Sequence, residues 1–373
     1  MSDTDNFSGT RPVAAEHAFD FARLAEYLRE HVDGYSGELS IAQFKGGQSN
    51  PTFRLTAGGK NYVLRRKPPG VLLPSAHAVD REFRVISALA HTNVPVARVY
   101  ALCEDVSVIG TMFYIMDCVE GRILWDPALP GMTNADRVAH HHEMNRVISE
   151  LHRVDPVAIG LAEFGKPGNY IERQVARWTK QYRAAETETI EAANQLIEWL
   201  PTHAPAYIPA DDEARIVHGD FRIDNVIFHP TEARILAVLD WELATLGHPL
   251  VDFAYHCMVW HMQAGNGVRG LAGVDINSLG IPTESEYLQS YLQRAGRSDA
   301  TSASATRGSA AGVSAADWNY YLVFNMFRLV GILQGIMARA LQGNASSERA
   351  LEAGRRARPL AEQAWALAQQ VKR

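Results

Sequence analysis

Two hydrophobic periods run along this chain, and the change between them divides it. Residues 20–32 carry apolar side chains at helical spacing and stop near Gly34, which predicts an amphipathic helix. Residues 39–44, 52–57 and 61–66 alternate with a period of two and read as strands. Gly46-Gly47 separates the first two runs and Gly58-Gly59 the second two, and paired glycines between alternating runs signal hairpins, so the three form an antiparallel meander. Residues 77–91 return to the helical period, with Val79, Phe83, Ile86 and Leu89 on one face, and 96–105 and 111–121 add two strands. Beyond Gly121 the pattern is mostly helical, with amphipathic runs at 134–154 and 171–199 and one β-like island at 214–247. Residues 297–316 are small and polar and read as a mobile loop between helices. Residues 318–340 are long enough to span a bilayer, but Asn325, Arg328 and Gln334 interrupt them. A charge at mid-membrane is expensive, so a buried core helix is expected there.

Composition narrows the class. A chain of 373 residues with 47% apolar and 21% charged side chains suits two lobes or one large α/β unit in water, with no membrane partner. Thirty-six Lys and Arg against 42 Asp and Glu leave a net charge of −6, which excludes a generic nucleic-acid binder. Arg65-Arg66-Lys67 is too short a run to be a nucleic-acid patch, and Arg66 and Lys67 are expected as surface charges or contacts to an anionic ligand. Cys103, Cys118 and Cys257 show no CxxC spacing, so a disulfide framework and a cysteine zinc site both drop out. With a polar start over 1–17, expected to be a disordered tail, the chain reads as cytoplasmic. His140, His141 and His142 are consecutive on a helix and cannot converge on one ion, so a solvated or partly buried helix face is expected. Oligomeric state leaves no trace in the pattern.

The β-like island holds the chemistry. It contains His218-Gly219-Asp220-Phe221-Arg222-Ile223-Asp224-Asn225 and, further on, Val238-Leu239-Asp240-Trp241-Glu242. Phosphoryl transfer needs an acceptor-orienting carboxylate, oxygen ligands for Mg²⁺, and a cation on the non-transferred phosphates. Asp220 and Asn225 can supply the carboxylate and one ligand from a single loop. Asp240, at the end of the next strand, supplies the second ligand. His-x-Asp-x4-Asn followed by an apolar strand ending in Asp is the arrangement of a kinase catalytic loop. Taken singly, Asp220 and Asn225 read as turn residues, His218 as a structural histidine holding the loop, and Asp252 as a cap or brace.

HGDFRIDN with LDWELATLGHPLVDFAY resembles the aminoglycoside phosphotransferase and choline kinase branch of the protein-kinase-like fold. FKGGQSNPTFRL, YVLRRKPPG, SAHAVDREFRVISAL and FYIMDCVEG are similar to the kinase-like domain fused to some eukaryotic acyl-CoA dehydrogenases, and to its free-standing bacterial relatives. The resemblance implies an α+β, bilobal fold: a small antiparallel β N-lobe with one main helix over 18–117, and a larger, mostly helical C-lobe over 118–373. It implies Asp220 as catalytic base and Asn225 and Asp240 as Mg²⁺ ligands. Gly46, Gly47, Gln48 and Ser49 become the nucleotide-covering turn. Arg65 becomes the phosphate-binding cation with Glu82 as its ion-pair partner, and Met116, Asp117, Cys118 and Val119 the connector that receives adenine. Two departures stand out: Arg65 replaces the usual Lys, and Trp241-Glu242, followed by Leu243, stands where protein kinases carry Phe-Gly, which speaks against a protein kinase. The implied activity is phosphorylation of a small-molecule hydroxyl by ATP or GTP, with a hydroxyacyl-CoA suggested as acceptor. An aminoglycoside or other amino-alcohol kinase, and a catalytically idle nucleotide-binding scaffold, are the alternatives.

Overall fold

Strand pairing follows the period-two runs. The structure, a computed structural model, describes residues 9–45, 50–68, 78–166, 168–205, 214–263, 270–297, 313–343 and 349–371. In chain order, β1 (Thr10–Arg11), α1 (Phe21–His31), β2 (Ser40–Phe44), β3 (Thr52–Ala57), β4 (Lys60–Arg66), α2 (Val79–Leu89), β5 (Val99–Cys103), α3 (Val106–Ile109) and β6 (Phe113–Asp117) come first. Their strands form one six-stranded antiparallel sheet in the order β1-β2-β3-β4-β6-β5. Ala57 pairs with Lys60 across Gly58 and Gly59, whose φ values of +56° and +76° are the left-handed pair a two-residue hairpin requires. Asp20 starts α1 by accepting the N–H groups of Ala22 and Arg23, each at 3.0 Å. The helix then buries Leu24 and Leu28 against Phe53, Leu55, Leu64, Phe113 and Ile115 of the sheet.

The expected disordered tail over 1–17 is corrected from Gly9 onward. Thr10 and Arg11 pair with Phe44 and Gln43 of β2. The Gln43 side chain accepts the Ala14 N–H at 3.1 Å and meets His17 Nδ1 at 2.9 Å, so hydrogen bonds with a sheet side chain, invisible to local composition, hold this segment. The nucleotide-covering turn expected at Gly46, Gly47, Gln48 and Ser49 lies outside the described residues, as do residues 298–312 of the expected loop.

The chain continues through α4 (Asn134–Arg153), α5 (Tyr170–Ala184), α6 (Glu191–Thr202), β7 (Arg215–Val217), the hairpin β8 (Val226–Phe228) and β9 (Ile235–Val238), β10 (Thr245–Gly247), α7 (Pro249–Cys257), α8 (Glu284–Arg294), α9 (Ala315–Leu341), α10 (Ala350–Gly354) and α11 (Ala357–Ala368). It divides into two compact units. The first runs to Trp125 and takes in 159–161 and 224–244; the second holds the remainder. The first unit is therefore larger than the expected 18–117. Arg122 and Phe228 exchange backbone hydrogen bonds at 2.8 Å each, and Val238 N–H donates to Pro95 O at 2.9 Å, which fastens the β8–β9 hairpin to it.

In the second unit α9 packs against α5, α7, α10 and α11. It is long and apolar enough to cross a membrane, and 67% of its most apolar window is buried inside the protein. The run 171–199, expected as one amphipathic stretch, is two helices. Gln334 Oε1 of α9 accepts both the N–H and the hydroxyl of Thr187, at 3.3 and 2.8 Å, and this holds the break between α5 and α6. The triple histidine is more buried than expected. His140 and His141 are each 4% exposed and bond the carbonyls of Asp136 and Pro127, and His142 alone faces outward.

Candidate active site

β4 alternates its side chains across the sheet, so its two arginines part company. Arg66 is buried and lies over the rings of Phe19 and Phe53, with its guanidinium 5.0 and 5.4 Å from their centroids. Lys67 pairs with Asp80 at 3.5 Å. The expectation of a surface charge or ligand contact is thereby corrected for Arg66, whose flat guanidinium stacks on aromatic faces inside the sheet's core. Arg65 points the other way, towards α2. Its Nε lies 2.8 Å from Glu82 Oε2, its Nη2 donates to Asp240 Oδ1 at 2.6 Å, and the same Nη2 lies 3.8 Å from Glu242. Glu82 sits one turn into α2 among Val79, Val85 and Ile86 and is 1% exposed. Burial pushes its carboxyl pKa up against the pull of Arg65. Burial also disfavours the Arg65 charge, but Glu82, Tyr114, Asp240 and Glu242 outweigh it and hold the guanidinium protonated. Two further groups support Glu82: Asn50 Nδ2 donates at 2.9 Å and Tyr114 Oη at 3.1 Å.

Asp240 and Asn225 belong to the same unit. Leu239 N–H donates to Asn225 O at 2.8 Å, so the backbone next to Asp240 is tied to the residue that ends the 3₁₀ turn Ile223–Asn225. Asp240 follows β9 in the left-handed region, φ 62°, a conformation that Asp and Asn tolerate better than most side chains and that clusters at functional sites. The donor set is oxygen only. One guanidinium faces three carboxylates, Glu82, Asp240 and Glu242, which leaves an excess of negative charge suited to a divalent cation. Among the described residues no three His, Cys, Asp or Glu side chains gather to hold a metal. Mg²⁺ bound together with phosphates needs only one or two carboxylates, and the Asp240 carboxylate with the Asn225 amide oxygen is a donor set of the kind that ion takes.

In the second unit β7 leads into His218. The His218 and Gly219 N–H groups donate to the two carboxylate oxygens of Asp252, each at 2.8 Å, and His152 Nε2 lies 3.1 Å from Asp252 Oδ2. Burial alone would raise the Asp252 pKa, but His152 and the His218 N–H bring it below its ordinary value. Burial also keeps His152 neutral. Its Nε2–H therefore donates to Asp252, and its Nδ1 accepts from Tyr291 Oη at 2.7 Å. Asp252 thus braces the loop, one of the two roles expected of it. His218 is wholly buried, and its Nδ1 accepts the Asp220 N–H at 3.2 Å. Asp220 Oδ1 accepts from Tyr255 Oη at 2.5 Å and lies 3.3 Å from Arg222 Nε.

The structure therefore brings Arg65, Glu82 and Asp240 into direct contact, ties the Asn225 backbone to that of Leu239, and brings Asp220, His218 and Asp252 into one bonded loop. Met116 and Asp117 end β6. The Asp117 and Cys118 N–H groups donate to Arg98 O and Asn61 O, at 2.8 and 3.4 Å, while the Val119 N–H, just past the sheet, meets no acceptor among the described residues. Sequence reasoning missed Asn50, Tyr114, His152, Tyr255 and Arg328. For Arg328 a signal existed, a charge inside an apolar helix. The others carried none.

A six-stranded sheet whose third hairpin strand sends a cation to a helix carboxylate, followed by a helical unit with a braced His-x-Asp loop, is the protein-kinase-like fold. A model of the phosphotransferase enzyme family matches residues 40–287, and the chain belongs to that family. It is 45% identical over 358 residues to acyl-CoA dehydrogenase family member 10 of Mus musculus, covering 95% of this chain but only 32% of that protein. A crystal structure from Ralstonia eutropha JMP134, provisionally named an aminoglycoside phosphotransferase, shares 54% identity with a TM-score of 0.84, over 95% of this chain and 100% of that one. A thermostable mutant of aminoglycoside phosphotransferase APH(4)-Ia, in ternary complex with ADP and hygromycin B, shares the fold at 16% identity, with a TM-score of 0.57 over 92% of this chain and 98% of that one.

Proposed function

We propose that this protein transfers the terminal phosphoryl group of ATP or GTP to a hydroxyl of a small molecule, and that the acceptor is a hydroxyacyl-CoA. The observation that carries the phosphotransferase reading is the double engagement of Arg65 with Glu82 and Asp240. A guanidinium so held is charged, aligned and ready to bind the non-transferred phosphates. Asp220 accepts a hydrogen bond from the acceptor hydroxyl and takes its proton late. Asn225 and Asp240 hold Mg²⁺, which, when bound, neutralises charge on the phosphates. The connector from Met116 to Val119 receives the adenine edge, with the Val119 N–H as its donor, and the turn at 46–49 covers the phosphates. Cytosolic placement accords with three free thiols.

The acceptor class rests on likeness to a stretch of a protein named as an acyl-CoA dehydrogenase. An aminoglycoside kinase is the second reading, supported by the name of the Ralstonia eutropha relative. A polycationic acceptor is disfavoured by Arg222 beside Asp220. Mass spectrometry after incubation with Mg-ATP separates the readings. Gain of one phosphoryl group by a hydroxyacyl-CoA supports the proposal, gain by an aminoglycoside replaces its acceptor, and Mg-ATP binding with no phosphorylated product from any acceptor favours the scaffold.

A further inference from the structure

Two of the polar residues that interrupt α9, Asn325 and Arg328, share a face with Tyr321, the three being spaced four and three apart. Tyr321 Oη lies 3.4 Å from His248 Nε2, Asn325 Nδ2 donates to Val251 O at 2.8 Å, and Arg328 Nη2 donates to Gly219 O at 2.7 Å. The Arg328 guanidinium also lies against two rings, 5.4 Å from the centroid of Trp178 and 4.9 Å from that of Tyr255. Arg328 is 8% exposed, its Nε meets no acceptor, and no carboxylate pairs with it among the described residues. Burying a guanidinium without a counter-charge is costly, and a Met or Leu would fill a helix interior better.

Both groups that Arg328 touches lead to Asp220. The Gly219 carbonyl and the Asp220 N–H belong to one peptide unit. Arg328 holds its oxygen and His218 Nδ1 its hydrogen, so the plane is fixed at both ends. That fixing matters because Gly219 sits at φ +83°, where the backbone of a glycine is otherwise free to turn. Tyr255, the ring under the guanidinium, donates its hydroxyl to Asp220 Oδ1. We propose that Arg328 is a positioning residue for the Asp220 carboxylate, acting through the Gly219 carbonyl and the Tyr255 ring. The proposal rests on Asp220 being the group that receives the acceptor hydroxyl.

Hydrogen exchange on the full chain tests it without any acceptor. Arg328→Lys keeps the charge and loses the planar stack, and Arg328→Met loses both. In each, amides across 218–221 should exchange about tenfold faster or more, while α4, α5 and α9 keep their protection. Unchanged exchange at 218–221, or loosening spread through α5 and α9, overturns the proposal. A kinetic arm uses Mg-ATP with a hydroxyacyl-CoA. Tyr255→Phe, which removes one oxygen and keeps the ring, should lower kcat about ten- to hundredfold with KM for Mg-ATP unchanged. Adding Arg328→Lys to it should cost less than the product of the single effects, because both act on one carboxylate. Multiplicative losses, or an unaltered kcat in Tyr255→Phe, contradict the proposal. Asp220→Ala, run in parallel, separates the two questions: full turnover there refutes the reading of Asp220, while the exchange data still decide whether Arg328 holds the loop.

Discussion

A guanidinium carries its donors on separate nitrogens in one plane, and Arg65 uses two of them, Nε towards Glu82 and Nη2 towards Asp240. Arg65→Ala leaves Glu82 buried without its counter-charge, so stability should fall by about 3 kcal/mol. KM for Mg-ATP should rise more than tenfold. Arg65→Lys should keep most of the stability and raise KM less, because the charge stays while the two separated donors of the fork are lost. Urea titration and initial-rate kinetics check the pair, and an unchanged KM in Arg65→Ala would remove the phosphate role. Arg65 and Glu82 were legible through the resemblance of YVLRRKPPG and SAHAVDREFRVISAL to the kinase-like domain, which matches them position by position. Asn50 and Tyr255 were not. Asn50, wholly buried, bonds a carboxylate 32 residues away and Tyr255 one 35 residues back, and single-sequence patterns carry no such pairing. Asn50→Ala should cost about 1–3 kcal/mol, measurable as a lower urea midpoint, since Glu82 then loses a buried donor.

Among elements, the β8–β9 hairpin decides where Asn225 and Asp240 lie, and one glycine decides where the hairpin lies. A Cβ at Gly121 would stand 2.2 Å from Phe228 O and 2.5 Å from Ile227 Cγ2. Gly121→Ala should therefore destabilise the first unit by about 1–3 kcal/mol. Its Mg²⁺ requirement for ATP turnover should also rise, because the hairpin that ends in Asp240 must shift. A wild-type melting temperature in that variant would show the strands are not so closely set. Strands, the Gly58-Gly59 turn and the β8–β9 hairpin were readable from period and punctuation. The break between α5 and α6 and the N-terminal strand β1 were not, because each is held by a distant side chain, Gln334 in one case and Gln43 in the other.

At the scale of the whole molecule, the second unit buries neutral histidines. Burial lowers the pKa of His141 to about 4 and those of His248 and His256 to about 3. Their unfolded values lie near 6.5, so as pH falls below that the unfolded chain takes up protons that the folded protein refuses. The stabilisation is full above about pH 6.5 and fades as pH drops towards 4. Each histidine should contribute ~1 kcal/mol of loss between pH 7.5 and 5.5. Urea midpoints at the two values test this, and equal midpoints would contradict it. The central claim is phosphoryl transfer that depends on Asp220 and Asp240. The most direct measurement follows γ-labelled ATP with Mg²⁺ and a panel of hydroxyl acceptors led by hydroxyacyl-CoAs, using wild type, Asp220→Ala and Asp240→Ala. Label on one acceptor class with the wild type, and on none with either variant, is the predicted result. Label transferred equally by the variants, or nucleotide bound with no label on any acceptor, would contradict the account.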